Sequence, residues 1–288
     1  MLETRELSIR FGGHVAVDRV SAAFAPGTLT AIVGPNGAGK TSLMQALAGH
    51  AAGFTGEVIY ASGEHRQIAY LPQQSQLDRS FPLSVLDVVM LGHWARLGPW
   101  RAAGAAQRDQ AQQALAAVGL EGFERRRIGE LSAGQLQRVL FARVMLQDAR
   151  VILLDEPFNA IDTRTTADLL ALVARWHAQA RTVVAVLHDL DQVRSHFPQT
   201  LLMAREAVAW GPTAQVLNAQ NLFRARQMSE RWDDAAPLCE QGQAHAHHAP
   251  PTAHASHAAH DHGHGRDAAG HAGHDHSHDH AATGQHKA

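Results

Sequence analysis

The sequence predicts an α/β protein with a parallel sheet, an N-terminal antiparallel β subdomain and an inserted α-helical subdomain. Two continuous apolar runs, Val151 to Leu154 and Thr182 to Leu187, have the length and composition of strands buried on both faces of a parallel sheet. A helix is predicted between them, from Thr163 to Gln179, so the three segments form a βαβ unit. From Ser84 onward the apolar residues recur at helical spacing, which indicates a helical insertion in the α/β core.

The segment before this insertion contains the other predicted strands. Thr28 to Val33 is a β-rich run that leads into glycines, and a helix is predicted after them from Thr41 to Gly49. Glu57 to Tyr60 and Gln67 to Leu71 are two further predicted strands. In the first 30 residues apolar and polar side chains alternate in short runs, which predicts antiparallel strands. The apolar positions of these runs are Leu7, Ile9, Phe11, Val15, Val17 and Val20.

The predicted helical subdomain covers roughly residues 83 to 147. Its second helix, Ala105 to Val118, is rich in Ala and Gln, which have high helix propensity. Its first helix is predicted from apolar residues at helical spacing, namely Val85, Val88, Val89 and Leu91.

Composition limits the classes of function that fit the chain. The 288 residues carry a formal net charge of −2, so no basic field favours nucleic acid as a partner. The single cysteine, Cys239, excludes an intramolecular disulfide framework and fits a reducing compartment. No signal-peptide pattern is present, and no window approaches the roughly 20 apolar residues of a membrane-spanning helix. We therefore expect a cytoplasmic protein, which would be a peripheral subunit if it serves a membrane.

The composition changes sharply near residue 236. Fourteen of the 21 histidines lie between His245 and His286, among Ala, Gly, Asp and Pro. This segment has almost no branched aliphatic or aromatic side chains and cannot bury enough apolar area to offset the entropy of ordering. The sequence thus predicts a folded domain over residues 1–235 and a disordered, His-rich tail over residues 236–288.

A phosphate-binding loop lies between the strand predicted at Thr28 to Val33 and the helix after it. The segment matches GxxxxGK[ST] in the strand–loop–helix context that phosphate binding requires. Its glycines let backbone N–H groups point at phosphate oxygens, and the helix adds its positive end. Lys40 can reach the β and γ phosphates, and Thr41 can offer its hydroxyl to Mg²⁺. The nucleotide-binding residues predicted in this phosphate loop are Gly34, Pro35, Asn36, Gly37, Ala38, Gly39, Lys40, Thr41 and Ser42.

Two carboxylates at a strand end supply the second part of the predicted site. The run from Val151 to Leu154 leads directly into Asp155 and Glu156. Because Mg²⁺ prefers oxygen ligands, Asp155 is expected to serve the metal together with Thr41. Glu156 is then placed to polarise a water that attacks the γ-phosphate. ATP and Mg²⁺ are therefore the expected substrate and cofactor.

The pentapeptide LSAGQ, residues 131–135, narrows the choice of family. It resembles the signature motif of ABC-type ATPases. With the phosphate loop and the carboxylate pair, it makes residues 1–235 similar to the nucleotide-binding subunit of an ABC transporter, which has a P-loop NTPase core. The resemblance implies ATP hydrolysis coupled to transmembrane transport, with motion passed to membrane permease subunits.

The same resemblance implies roles for four further residues. Gln73 matches a catalytic glutamine that senses Mg²⁺ and the membrane subunit, and His188 matches a catalytic histidine that contacts the γ-phosphate. Asp162 matches an acidic loop that communicates between two nucleotide sites. Phe11 stands at the position of an aromatic residue that stacks on adenine.

A homodimer is also implied. In the family, ATP held by the phosphate loop of one copy is enclosed by the signature motif of the other, here Ser132, Gly134 and Gln135. The sequence departs from the usual motif at Ala133, where a second glycine is common. The methyl group of Ala133 could crowd the approach to the partner's γ-phosphate, so its effect on nucleotide affinity is left open.

The segment of residues 69–92 bears on the cargo. An Asp followed closely by Phe81-Pro82, then VLDVV and Met-Leu-Gly, resembles the subgroup that serves zinc, manganese or iron import. This resemblance implies a divalent transition metal as cargo, with zinc first and manganese second. It also implies an extracytoplasmic metal-binding protein in the same system.

The tail suggests metal binding independently of the family. Imidazole is a good ligand for Zn²⁺, and several histidines lie within reach of one another on a flexible chain. The proposed zinc ligands are His260, His262, His264, His274, His276, His278 and His280. The tail could also be a solubilising extension, a pH-responsive charged segment or an expression artefact.

Other functions remain open on the sequence alone. The ATPase of a siderophore, haem or cobalamin importer is the nearest alternative. A soluble ABC ATPase without a transport role, acting in translation or DNA repair, is a second. A metal-storage or chaperone protein, whose function resides in the tail, is a third.

Overall fold

The computed structural model describes residues 1–61, 68–73, 78–98 and 103–234, all within one compact unit, Met1–Leu238. The predicted tail lies outside the described residues, so its disorder and the boundary at residue 235 stay predictions. The described strands and helices are, in chain order, β1 (Leu2–Phe11), β2 (His14–Phe24), β3 (Leu29–Val33), α1 (Lys40–Leu47), β4 (Phe54–Tyr60), β5 (Ile68–Leu71), α2 (Val85–Met90), α3 (Trp94–Leu97), α4 (Ala105–Ala117), α5 (Ala133–Gln147), β6 (Val151–Asp155), α6 (Thr163–Ala178), β7 (Thr182–Val186), α7 (Leu190–His196), β8 (Gln199–Ala204), β9 (Glu206–Pro212), α8 (Thr213–Val216) and α9 (Ala219–Asp234).

Two sheets organise these elements. A three-stranded antiparallel sheet has the order β2-β1-β4, and a six-stranded sheet has the order β5-β6-β7-β3-β8-β9. The larger sheet is parallel except for the hairpin of β8 and β9 at one edge. β6 and β7 are parallel neighbours and α6 connects them, so the predicted βαβ unit is confirmed. The N-terminal antiparallel strands are confirmed as well.

The apolar runs are continuous because the larger sheet is covered on both faces. Every residue of β3, β6 and β7 is buried. Ile152 and Leu154 belong to one core, which includes the helices α4 and α5. Val151 and Leu153 belong to a second core, which includes α1 and the antiparallel sheet. Successive side chains of one strand therefore enter different cores, which is why the run from Val151 to Leu154 is apolar throughout.

The alternation of β1 and β2 is interrupted by bulges. Glu6 and Arg19 adopt left-handed backbone conformations, with φ of 47° and 45°. The pairing register shifts next to both residues, as expected of a β-bulge. Leu7 and Ile9 are fully buried, whereas Phe11 at the end of β1 is 57% exposed. The bulge at Arg19 accounts for the spacing of three residues between the buried Val17 and Val20.

The helices α2, α3, α4 and α5 lie between β5 and β6 in the chain. A capping box formed by Ser84 and Asp87 begins α2, and a second one, formed by Ser132 and Gln135, begins α5. The limits of a separate helical subdomain, residues 83–147, stay a prediction. None of the described helices has the length and apolar character needed to cross a membrane.

Candidate active site

The phosphate loop connects the central strand β3 to α1 at the carboxyl edge of the parallel sheet. Gly34 and Gly39 adopt φ of 155° and 84°, which few other residues tolerate. A Cβ atom on Gly39 would lie 2.0 Å from the carbonyl oxygen of Ala16, and one on Gly34 would lie 2.0 Å from that of Met203. Glycine is therefore required at both positions, because another backbone segment approaches closely and because the dihedral angle φ is unfavourable for other residues.

Lys40 is the first residue of α1, and its side chain lies beneath the phosphate loop. Its Nζ donates hydrogen bonds to the carbonyl oxygens of Gly34 and Pro35, at 2.9 and 2.8 Å. Burial lowers the pKa of Lys40, and the nearby carboxylates of Glu156 and Asp155 act in the opposite direction. The lysine therefore places a cation between the loop and the two carboxylates.

Asp155 is fully buried at the end of β6. Its Oδ1 accepts a hydrogen bond from Thr41 Oγ1 and its Oδ2 accepts one from the Tyr70 hydroxyl, both at 3.3 Å. Burial raises the pKa of Asp155, and Glu156 adds to this effect, whereas the two hydroxyls and Lys40 oppose it. A buried carboxylate beside a hydroxyl forms a set of hard oxygen donors. This donor set fits Mg²⁺, the metal that the sequence predicts.

Glu156 has an unusual backbone conformation, with φ of 50°. Its Oε1 lies 2.6 Å from His188 Nε2, and its Oε2 accepts hydrogen bonds from Gln73 Nε2 at 2.7 Å and Asn159 Nδ2 at 3.1 Å. The three partners come from separate segments of the chain, so the carboxylate is held in one orientation. A left-handed non-glycine residue at such a position is typical of functional sites.

An open cleft of about 320 Å³ lies over the phosphate loop. Its wall contains Glu156 and the exposed Phe11, together with Ala16, Asn36, Gly37, Ala38, Gly39, Lys40, Thr41 and Ser42. Glu156 also lines a second cavity of about 300 Å³, next to Asn159 and His188. The carboxylate thus stands between the cleft and a separate cavity from which water can approach.

The predicted signature residues lie elsewhere. Ser132 begins α5, where its Oγ accepts a hydrogen bond from Gln135 N at 3.2 Å, while Gln135 Oε1 accepts one from Ser132 N at 3.0 Å. A Cβ atom on Gly134 would lie 3.4 Å from Asp162 Oδ2. Neither the signature residues nor Asp162 are among the described residues that line the cleft.

Asp162 begins α6 and belongs to this second group. Its Oδ1 accepts a hydrogen bond from Thr165 N at 2.9 Å, and hydrogen bonds from Thr165 lower the pKa of Asp162. The structure therefore divides the predicted nucleotide residues of one chain into two sets. One set surrounds the phosphate loop, and the other surrounds the start of α5.

Sequence reasoning missed three residues that support the site. Tyr70 donates a hydrogen bond to Asp155 and Asn159 donates one to Glu156. Tyr70 lies three residues before Gln73 and Asn159 three residues after Glu156, so both belong to segments that the sequence had already marked. The third is Arg205 at the turn between β8 and β9, whose backbone N donates to the carbonyl oxygen of Ala38 in the phosphate loop at 2.9 Å. No sequence signal marks a contact between backbone groups of distant segments.

The predicted zinc ligands in the tail lie outside the described residues. Within residues 1–61, 68–73, 78–98 and 103–234, no group of three or more His, Cys, Asp or Glu side chains is arranged to hold a metal ion.

Comparison with known proteins identifies the family of this site. A sequence model of the ABC transporter family matches residues 17–159. The manganese transport system ATP-binding protein MntB of Listeria monocytogenes is 38% identical over 225 residues, which cover 77% of this chain and 94% of that protein. The zinc transport system ATP-binding protein TroB of Treponema pallidum is 37% identical over 203 residues, covering 69% of this chain and 76% of that protein. A bacterial ABC transporter cassette, solved as a dimer, superimposes with a TM-score of 0.65 at 24% identity and covers 74% of this chain and 99% of that cassette.

Proposed function

The chain belongs to the ABC transporter family as an ATP-hydrolysing subunit, and we propose that it energises import of a divalent transition metal, manganese or zinc, through a separate membrane permease. The observation that carries this proposal is the 38% identity to a manganese transport ATP-binding protein over nearly its full length. A zinc transport ATP-binding protein is almost equally similar. Since both cargoes are divalent transition metals, the similarity supports that class and leaves the choice of metal to experiment.

In the proposed hydrolysis step, ATP lies over the phosphate loop with its adenine on the face of Phe11. Lys40 and the loop N–H groups hold the β and γ phosphates. Thr41 and Asp155 would hold Mg²⁺, with Gln73 nearby. When bound there, Mg²⁺ neutralises charge that develops on the phosphate oxygens.

Glu156 acts as the base in this proposal. Its carboxylate accepts a proton from the water that attacks the γ-phosphorus, as the bond between the γ-phosphorus and the β–γ bridging oxygen breaks. His188 and Gln73 fix the orientation of the carboxylate through the hydrogen bonds described above. His188, two residues after the end of the neighbouring strand β7, would also contact the γ-phosphate.

We propose that two copies of the chain complete each site. The cleft of one chain is lined by the phosphate loop, Phe11 and Glu156, and its own signature residues start α5 outside that cleft. In a homodimer, Ser132, Gly134 and Gln135 of the second copy would enclose the nucleotide. Asp162, beside Gly134, would then connect the two nucleotide sites. The related bacterial cassette described above was solved as a dimer.

A groove next to α5 has the properties expected of the permease contact. It has a volume of about 530 Å³, and its wall includes the half-buried Arg143 and Gln147 of α5. Arg143 Nε and Gln147 Oε1 are buried without a hydrogen-bond partner among the described residues. A polar segment of the permease that both accepts from Arg143 and donates to Gln147 would satisfy these atoms.

Two exposed apolar side chains lie where α2 ends and α3 begins. Leu91 is 45% exposed and Trp94 is 61% exposed. They flank Gly92, where a Cβ atom would lie 2.5 Å from the carbonyl oxygen of Arg143. In this proposal the membrane subunit contacts both the groove and this apolar pair, which would place the chain at the cytoplasmic face of the membrane. An extracytoplasmic metal-binding protein would deliver the cargo to that permease.

The proposal is tested by metal content of cells. A strain lacking the gene is grown in metal-limited medium and complemented with the natural chain or with the Glu156→Gln variant as a matched control. We expect manganese or zinc to fall severalfold in the deletion strain and to be restored only by the natural chain. A fall in iron or cobalt alone would favour the siderophore, haem or cobalamin alternative, and unchanged levels of all four metals would overturn the import proposal.

A further inference from the structure

Tyr70 stands between the groove next to α5 and the carboxylate that is expected to hold Mg²⁺. It lies on β5, where it pairs with Leu153 of β6. Its hydroxyl donates to Asp155 Oδ2 at 3.3 Å, and Tyr70 also forms part of the groove wall. The nucleotide cleft is lined by other residues of the described chain. Tyr70 therefore connects the groove to a carboxylate of the metal site by a route outside the cleft.

Residues of the groove hold Tyr70 at two further points. The rings of His50 and Tyr70 pack edge to face, with centroids 5.4 Å apart and planes at 71°. Arg143 Nη2 donates to the backbone carbonyl oxygen of Tyr70 at 3.1 Å. His50 and Arg143 both line the groove, together with Gln147. A polar occupant that satisfies Arg143 Nε and Gln147 Oε1 would therefore bind directly beside the contacts that hold Tyr70.

In the site, Tyr70 and Gln73 each contact one of the two carboxylates. Tyr70 donates to Asp155, and Gln73, three residues later in the chain, donates to Glu156 at 2.7 Å. Thr41 contacts the other oxygen of Asp155, Oδ1. Burial raises the pKa of Tyr70 and the charge of Asp155 adds to this effect, so the phenol remains a hydrogen-bond donor. The Tyr70 hydroxyl thus fixes the Asp155 oxygen that Thr41 does not contact.

We propose that Tyr70 is a positioning residue, which orients Asp155 for Mg²⁺ and transmits the state of the groove to the metal site. An outer partner keeps a metal-binding carboxylate in one orientation, and its loss usually weakens metal affinity by about 10–100-fold. An occupant of the groove that binds Arg143 or displaces His50 changes the contacts of the Tyr70 backbone and ring. The hydroxyl then moves relative to Asp155. Binding in the groove would in this way change the affinity of the site for Mg²⁺.

This inference rests on the proposed roles of Asp155 and of the groove, but it does not depend on which metal is transported. Turnover of the natural chain in saturating Mg²⁺ is the measurement that tests the proposed ATPase site. The Mg²⁺ concentration that gives half-maximal turnover, compared between variants, is the measurement that tests Tyr70. The two can therefore fail separately.

The chain contains two tyrosines, and Tyr60 supplies a matched control. The Tyr60 hydroxyl donates to the carbonyl oxygens of Ala46 and Leu47 at 3.3 and 3.2 Å, so it has hydrogen bonds of similar length. Among the described residues, Tyr60 is not part of the wall of the cleft or of the groove. Tyr60→Phe therefore removes the same group from a position outside the site.

The experiment compares the natural full-length chain with Tyr70→Phe, Tyr60→Phe, His50→Ala and the double variant His50→Ala/Tyr70→Phe. ATP turnover is measured against free Mg²⁺ at a fixed ATP concentration, and thermal unfolding in EDTA reports stability. A second measurement does not depend on turnover. Chains labelled with 3-fluorotyrosine give two fluorine signals in NMR, and the labelled Tyr60→Phe chain identifies the signal of Tyr70.

We expect Tyr70→Phe to need about tenfold more Mg²⁺ for half-maximal turnover, at the low end for an outer partner. Turnover in saturating Mg²⁺ should stay within about twofold of the natural chain, and Tyr60→Phe should not change the Mg²⁺ requirement. His50→Ala should raise the requirement by about threefold, within the range of an aromatic pair, and should add nothing in the Tyr70→Phe chain. The fluorine signal of Tyr70 should move when ADP in EDTA is replaced by Mg²⁺-ADP.

Four results would each overturn the inference. They are an unchanged Mg²⁺ requirement in Tyr70→Phe, an equal rise in Tyr60→Phe, an effect of His50→Ala that is as large in the Tyr70→Phe chain, and a Tyr70 fluorine signal that does not respond to Mg²⁺. A Tyr70→Phe chain that is only less stable in EDTA, with an unchanged Mg²⁺ requirement, would show that the hydroxyl is merely structural. A natural chain without Mg²⁺-dependent turnover would instead contradict the proposed function.

Discussion

His188 Nε2 lies 2.6 Å from Glu156 Oε1, although 31 residues separate the two in sequence. The register of the sheet brings them together. Asp155 of β6 pairs with Val186 of β7 in parallel, and the chain continues from these positions to Glu156 and, two residues after Val186, to His188. The pair therefore stands at the carboxyl edge of two neighbouring strands, where ligands of open α/β sheets bind.

The first prediction concerns the charge of Glu156. In Glu156→Gln, the amide keeps the shape of the side chain but cannot accept a proton from water. We expect ATP hydrolysis to fall by about 10²–10⁴-fold, the contribution usual for a general base. ATP binding should be retained, so the variant should accumulate as an ATP-bound dimer. Steady-state phosphate release and size-exclusion chromatography with ATP measure the two effects.

A matched control for this variant is Glu206→Gln on β9, which removes a carboxylate of equal charge that does not line the nucleotide cleft. It should leave turnover within a factor of two, as ordinary surface changes do. Normal turnover by Glu156→Gln would rule out Glu156 as the base.

Much of this arrangement follows from local sequence patterns. The strands β6 and β7 were predicted from continuous apolar runs, which arise because both faces of the sheet are covered. The strand β3 was predicted from a β-rich run that leads into glycines. The phosphate loop and the acidic strand end were predicted because each function needs particular residues at fixed spacing. Such patterns can be recognised in the sequence because each depends only on residues that are close together in the chain.

The remaining contacts depend on the fold itself. Arg205 reaches the phosphate loop through its backbone, so its side chain leaves no pattern that could be associated with Ala38. Asn159 holds Glu156 through an ordinary amide in a loop. That Ser132 and the phosphate loop of one chain belong to different nucleotide sites was inferred from family resemblance. Spacing in the sequence alone does not determine which distant segments line the same cleft.

A second prediction follows from the buried carboxylate of Asp155. Because burial raises the pKa of Asp155, the folded state binds its proton more tightly than the unfolded state does. Ionisation of Asp155 is therefore destabilising. Stability should fall as the pH rises from the ordinary aspartate pKa to the raised one, and the penalty should persist at neutral pH. Asp155→Asn removes this penalty.

We expect Asp155→Asn to raise stability at neutral pH without Mg²⁺ by on the order of 1 kcal/mol, or about 2–4 °C in Tm for a domain of this size. Mg²⁺-dependent turnover should be lost in the same variant, since a neutral amide is a much weaker ligand for Mg²⁺ than a carboxylate. Thermal unfolding in EDTA and ATPase assays measure the two effects. The control is Asp191→Asn, whose carboxylate is 93% exposed and whose loss should shift neither quantity appreciably. A variant less stable than the natural chain would show that the ionised carboxylate is net stabilising.

A third prediction concerns Phe11, which is 57% exposed at the edge of the cleft. If its ring stacks on adenine, Phe11→Ala should weaken ATP binding by about 5–150-fold, corresponding to the roughly 1–3 kcal/mol of a stacked base. Phe11→Tyr should retain most of the affinity. Phe223→Ala removes a ring of similar exposure that does not border the cleft and should bind ATP normally. Calorimetric titration with ATP compares the three, and equal affinity in Phe11→Ala would remove the stacking role.

The fourth prediction separates backbone strain from steric overlap in the phosphate loop. Gly37 and Gly39 have nearly the same φ, 76° and 84°, so an alanine at either position suffers a similar conformational penalty of about 1–2 kcal/mol. Among the described residues, the two chain neighbours of Gly37 apart, no atom lies within 4 Å of a Cβ added there, whereas a Cβ at Gly39 would lie 2.0 Å from the carbonyl oxygen of Ala16. Gly39→Ala must therefore push β2 and the loop apart, and overpacking of this kind costs about 1–3 kcal/mol more. Urea unfolding of the two variants should show a clearly lower midpoint for Gly39→Ala. Equal midpoints would mean that the phosphate loop can move away from Ala16 without loss of stability. The close approach to Ala16 would then not be what holds the phosphate-binding N–H groups in place.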